Sequence, residues 1–192
     1  SLASVEKDLQ DLAREVLYED SMEIKIQRNK AFTSLLIQTL RQPESYRYPF
    51  DSLKTISILQ AEDNSFRIFT WHIIDKNYNQ YYSKQYHYYF GLVQRRYEEE
   101  GEAKYLVIPL LDMQETPAGV ENMILDNYNW FGAQYYPPKN GSGKLEKYSL
   151  KFVDRANTPP GEKPKEIKQD FYVLLGWNGN DQRSNIKLVE VM

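Results

Sequence analysis

Ser65-Phe66-Arg67-Ile68-Phe69-Thr70-Trp71-His72-Ile73-Ile74 holds the densest run of β-branched and aromatic residues in the chain, and it follows turn residues at Asp63-Asn64. It reads as a β-strand. Its even positions (Phe66, Ile68, Thr70, Ile74) and odd positions (Phe69, Trp71, Ile73) are both largely apolar. Successive side chains of a strand point to opposite faces, so this one is expected at the centre of a sheet covered on both sides. Arg67 interrupts the pattern. Flanked by Phe66 and Trp71, it is expected to be a structural arginine, stacked or paired within the sheet.

Upstream the period changes from two to about 3.6. Val5, Leu9, Leu12 and Val16 recur at helical spacing and predict a helix from Val5 to Glu19, with Ser4 and Lys7 supplying half of a capping box. A second helix is predicted from Ser21 to Arg41, with Ile24, Ala31 and Leu35 on one stripe, Phe32, Leu36 and Leu40 beside it, and Pro43 ending it. The two make a helical hairpin whose apolar stripes need a sheet to cover. Between the hairpin and the central strand lie a turn, Tyr48-Pro49-Phe50-Asp51, and a strand, Thr55 to Ala61, joined to the central strand through Glu62-Asp63-Asn64.

Downstream, Asn77-Tyr78-Asn79-Gln80 marks a loop. Tyr86 to Arg95 reads as a strand in which Gly91 signals a bulge or a close backbone approach. A charged tip from Arg95 to Glu102 leads into a strand from Tyr105 to Leu111, where Pro109 argues for an edge or a bulge. A short helix is expected around Val120 to Leu125. Short strands then follow at Trp130 to Tyr136, Lys147 to Val153, Phe171 to Trp177 and Ile186 to Val191, with an exposed loop from Ala156 to Lys168. No strand-helix-strand repeat is present. The expected fold is therefore α+β: an N-terminal helical hairpin (1–42) packed on a strongly twisted antiparallel β-sheet (50–192), open or partly closed, in a single domain.

Composition narrows the function classes. The 192 residues carry 41% hydrophobic side chains, 27% charged ones and a net charge of −3, which gives no global bias toward nucleic acid or membranes. There is no cysteine, so disulfides and thiolate metal sites are excluded. No apolar run reaches the roughly 18 residues needed to span a bilayer. The opening Ser1-Leu2-Ala3 does not read as a signal peptide, and a processed or trimmed chain is the expectation.

Several ordered motifs carry a resemblance: Tyr48-Pro49-Phe50-Asp51-Ser52-Leu53-Lys54-Thr55-Ile56-Ser57-Ile58, then Asp63 and Phe66 to Trp71, then Tyr89-Phe90-Gly91 with Gln94, Trp130-Phe131-Gly132-Ala133, and Tyr172 to Asn180. Together they resemble a family of uncharacterised bacterial proteins predicted to be exported. The resemblance runs from Leu9 to the end. It implies export to the periplasm or cell surface and a longer, strand-rich C-terminal continuation, but no activity, cofactor or catalytic residue. The family tends to have Gly-Trp-Asp-Gly-Asn where this chain has Asn178, which argues against a metal-binding carboxylate in that turn.

Candidate chemistry is sparse. His72 and His87 are the only histidines. His72 with Asp75 could be drawn as a base and its orienter, yet no Gly-x-Ser-x-Gly elbow supplies a nucleophile, and a histidine satisfied within the sheet is the simpler reading. Glu98, Glu99, Glu100 and Glu102 read as a solvated hairpin tip, and Asn178-Gly179-Asn180-Asp181 as a hairpin turn without the spaced carboxylates of a calcium loop. Lys147 and Lys151 alternate with Tyr148, Leu150 and Phe152, which predicts a lysine face toward solvent rather than a nucleic-acid surface. Neither a catalytic site, a metal site nor a cofactor is expected.

Tyrosine, at 16 residues, is the compositional excess. Its ring is apolar and its hydroxyl stays wet, so exposed tyrosines suit sugar faces and protein partners. Tyr81, Tyr82, Trp130, Tyr135, Tyr136 and Trp177 are the candidate platform. The leading expectation is a non-enzymatic exported module that binds a glycan or a protein at the cell envelope. The alternatives are an envelope hydrolase using carboxylates or His72 with Asp75, and a structural association domain.

Overall fold

The computed structural model describes residues 1–75, 86–110, 145–178 and 186–191. Among these residues, two helices, α1 (Leu2–Tyr18) and α2 (Met22–Leu40), precede a short 3-10 helix (Pro43–Arg47) and seven strands. The strands are β1 (Ser57–Gln60), β2 (Phe66–Asp75), β3 (Tyr86–Glu99), β4 (Glu102–Leu110), β5 (Leu145–Asp154), β6 (Lys165–Asn178) and β7 (Ile186–Val191). The fold is α+β and antiparallel throughout the described pairings. The strands divide between two open sheets, a four-stranded one in the order β1-β2-β3-β4 and a three-stranded one in the order β5-β6-β7.

β2 lies inside the larger sheet, and every side chain from Phe66 to Trp71 is buried. Its two faces meet different neighbours. Phe69, Trp71 and Ile73 join Phe90 and Leu92 of β3 in a core with Leu9, Phe32, Leu36 and Leu40 of the helices. Phe66 and Ile68, on the other face, join Val93, Leu110, Leu145 and Leu174, which bind the two sheets together. This double cover is what the two apolar periodicities of the strand demand.

α1 begins at Leu2, with Ser1 as its N-cap, so Ser4 sits inside the helix and caps nothing. In α2, Ser21 Oγ accepts a hydrogen bond from the Ile24 amide at 3.5 Å. The expected stripe of Phe32, Leu36 and Leu40 on α2 is buried, but Ile24 and Ala31 of the other are exposed, and the buried face also takes in Lys25, Asn29, Thr33 and Ile37. Lys25 and Asn29 can occupy it because they find partners. Lys25 Nζ donates to the Ile74 carbonyl at 3.1 Å, and Trp71 Nε1 donates to Asn29 Oδ1 at 2.7 Å.

Gly91 pairs with Thr70 and Leu110 in unbroken register, so it marks a close approach and not a bulge. A Cβ there would stand 2.8 Å from Leu110 Cδ1 and 3.1 Å from the Phe69 carbonyl oxygen. Pro109 lies in β4, an edge of its sheet among the described residues. The β3–β4 hairpin is longer than its charge suggests. Its turn is reduced to Glu100 and Gly101, with φ of 53° and 81°, the left-handed pair of a tight hairpin. The loop after β5 is shorter than expected for a similar reason: β6 starts at Lys165, and its charged first half gains a full ladder against Phe152, Val153 and Asp154. The helix expected at 120–125 and the strand expected at 130–136 lie outside the described residues.

Candidate functional site

Five of the six expected platform aromatics, Tyr81, Tyr82, Trp130, Tyr135 and Tyr136, lie outside the described residues. Trp177 stands in β6 with its backbone opposite Lys187. His72 and Asp75 are three apart on β2, which puts them on opposite faces, and the His72 ring lies 6.0 Å from that of Tyr89. The solvent-facing assignment of the lysines is reversed for Lys147. Lys147 turns inward, bonding Asp63 Oδ2 at 2.7 Å and Asp170 Oδ2 at 2.9 Å. Tyr148, Leu150 and Phe152 are exposed instead. Leu145, on the face of Lys147, is drawn into the buried cluster between the sheets, and the pleat then turns the alternate residues outward.

What the structure does bring together is a cleft of about 1130 Å³ at the end of the helix-covered face, beyond α2. The 3-10 helix, the segment from Pro49 to Ile56, β1, the β1–β2 turn and the ends of β3 and β4 surround it. Register explains its floor and wall. Arg67 pairs with Gln94, and Arg96 with Tyr105, so these four side chains share one face of the sheet. Tyr46, from the 3-10 helix, lies over them with its ring 5.4 Å from that of Tyr105, and its hydroxyl donates to the Asn64 carbonyl at 2.5 Å.

Arg67 is the centre of this arrangement. It is only 3% exposed. Nε and Nη2 donate to Gln94 Oε1 at 3.1 and 2.5 Å, Nη2 also donates to the Ser45 carbonyl at 2.7 Å, and Nη1 donates to the Tyr48 carbonyl at 2.7 Å. The rings of Tyr46, Phe50 and Phe69 surround its Cζ at 5.6, 5.5 and 5.1 Å. Gln94 is itself fixed, donating to the Leu40 carbonyl at 2.6 Å and to Ser45 Oγ at 2.8 Å. Among the described residues no carboxylate makes an ion pair with Arg67. Burial accordingly pushes its pKa down, to about 10. Burial likewise raises the pKa of Tyr46.

Backbone geometry reinforces the site. Phe50, buried on the cleft wall, holds φ of 55°, a left-handed conformation uncommon for an aromatic residue. Glu6 of α1 anchors the same segment, accepting from Tyr48 Oη and the Ser52 amide, both at 2.6 Å. On the opposite side of the turn, Asp63 accepts from Lys147, Tyr172 and Ser65. Partial burial opposes ionisation there, but these hydrogen bonds win and hold its carboxyl well below the usual range.

Among the described residues no three His, Cys, Asp or Glu side chains converge as metal ligands, and no helix is long and apolar enough to cross a membrane. No protein-family model, curated protein or solved structure matches this chain. Sequence reasoning identified Arg67 as structural but missed the cleft, because its parts, from residues 43 to 105, meet only through the strand register and the 3-10 helix.

Proposed function

We propose that this protein is a non-enzymatic exported module of the cell envelope that binds a glycan in the cleft beside Arg67. One observation carries the reading: the half-buried Tyr105, the Tyr46 ring, Arg96, Gln60 and Asn64 line a single concave surface. Aromatic faces favour the apolar side of a sugar ring, while guanidinium and amide groups suit its hydroxyls. A concave polar cleft fits a glycan better than it fits a flat protein interface. Export and envelope location are drawn from the sequence resemblance.

The test is a screen of the full chain against a glycan array, followed by calorimetric titration of the hits with Tyr105→Ala. Glycan binding weakened about tenfold in Tyr105→Ala, with the thermal midpoint kept, supports the reading. A folded chain that binds no glycan, or binds one equally well without Tyr105, sinks it.

A second reading, association with a second copy of this chain, is favoured by the outer face of the smaller sheet. Leu150, Phe152, Leu175, Val189 and Val191 are 59, 44, 41, 70 and 68% exposed and share that face with Tyr148. An apolar sheet face packs on its own twofold copy as a sandwich. Sedimentation showing a monomer at micromolar concentration would discard this reading.

A further inference from the structure

We infer that the glycan taken by this cleft is acidic, its anionic group held in front of Arg67 and Arg96. This rests on the cleft reading above and adds the chemical class of the ligand. Among the described residues Arg67 makes four hydrogen bonds, all of them to neutral acceptors. A guanidinium withdrawn from water and surrounded by carbonyls and rings keeps its full charge, so its field extends into whatever space adjoins it. That space is the cleft.

The cleft walls agree in sign. Arg47, Lys54, Arg67 and Arg96 line it against Glu44, Asp51 and Asp63. Among the described residues that line it, four cations face three carboxylates; Glu44 and Asp51 are exposed, and Asp63 is drawn toward the other sheet by Lys147, which it shares with Asp170. Among the described residues, the ion pair that Arg96 makes is a solvent-exposed contact to Glu98 at 3.2 Å, which a ligand anion can replace. Carboxylates and phosphates are both recognised by guanidinium forks. Uronic-acid sugars and phosphorylated sugars are therefore both acceptable sources of the anion.

The test is titration of the full chain with an oligogalacturonate, a phosphorylated mannose oligosaccharide, and the neutral galactose and mannose counterparts, at low and high salt. At least one acidic ligand is expected to bind about tenfold or more tightly than its neutral counterpart, a margin that shrinks with salt. Arg96→Gln, a partly exposed change that leaves the Arg67 contacts in place, is expected to remove most of that preference. Equal binding of acidic and neutral sugars, or an acidic preference untouched by Arg96→Gln, overturns the inference while leaving the cleft a glycan site. Binding of none of the four overturns the glycan reading together with it.

Discussion

Arg67 and Lys147 are both cations drawn against the β1–β2 hairpin, but one is held by neutral groups and the other by acids. Arg67 lies buried beneath the cleft, oriented by Gln94 and the Ser45 and Tyr48 carbonyls. Lys147 spans the junction of the two sheets, a quarter exposed, between Asp63 and Asp170. The first arrangement fixes a charge without cancelling it; the second cancels the charge and turns it into a strut. Their pKa values move in opposite directions accordingly. Burial pushes Arg67 down to about 10, whereas hydrogen bonds to Asp63 and then Asp170 push Lys147 up. A charge that is positioned but not neutralised is available to a ligand, and that is the difference between the two regions.

The comparison breaks most visibly at Arg67. Arg67→Met leaves the Tyr48 carbonyl and Gln94 Oε1 without their guanidinium donor, while the Ser45 carbonyl keeps the Tyr48 amide at 3.0 Å, and each buried orphan costs about 1–3 kcal/mol. Part of that is offset because the charge no longer has to be desolvated. A net destabilisation of about 3 kcal/mol is expected in urea denaturation. Unchanged stability would mean that the fork of hydrogen bonds is not what fixes this segment.

Acid titration acts on the other region. Asp63 is held well below the ordinary carboxylate range, and Asp170 is lowered to about 2 by hydrogen bonds from Ser149 and Lys147. Depressed carboxylates contribute stability that is present above their unfolded values, near pH 4, and is lost as pH falls through the folded ones. Lys147 has the opposite sign. Its raised pKa contributes below the unfolded value, near 10.5, and that contribution fades at higher pH. The thermal midpoint should therefore hold from about pH 5 to 9 and fall below about pH 4. In Lys147→Met the acid fall should be shallower; an identical profile would contradict the junction as its source.

The smallest effect belongs to Lys147→Met at neutral pH. Its ion pairs are partly wet, so a drop in the thermal midpoint of about 2 °C or less is expected, and added salt should narrow it further. A loss as large as that from Arg67→Met would erase the distinction between strut and held charge.

Much of the architecture was legible because it follows from local periodicity. The doubly apolar stretch at Phe66–Ile74 is an inner strand with both faces covered, and Val5, Leu9, Leu12 and Val16 do line the packed side of α1. The errors arose where a partner far along the chain outvoted the pattern. Lys25 and Asn29 are buried on α2 because Ile74 and Trp71 receive them, and Lys147 turns inward because Asp63 and Asp170 do. The cleft was illegible for the same reason. Arg67 and Gln94 become a pair only when β2 and β3 align, and the Tyr48-Pro49-Phe50-Asp51 turn gives no sign that it walls a cavity.

The most direct test follows the side-chain Nε–Hε resonances of the arginines by NMR while an oligogalacturonate is added to the full chain. The account predicts saturable shifts at Arg67 and Arg96, with Arg14 and Arg28 on the helices unmoved. Arg67 and Arg96 signals that stay still while the sugar binds would contradict it.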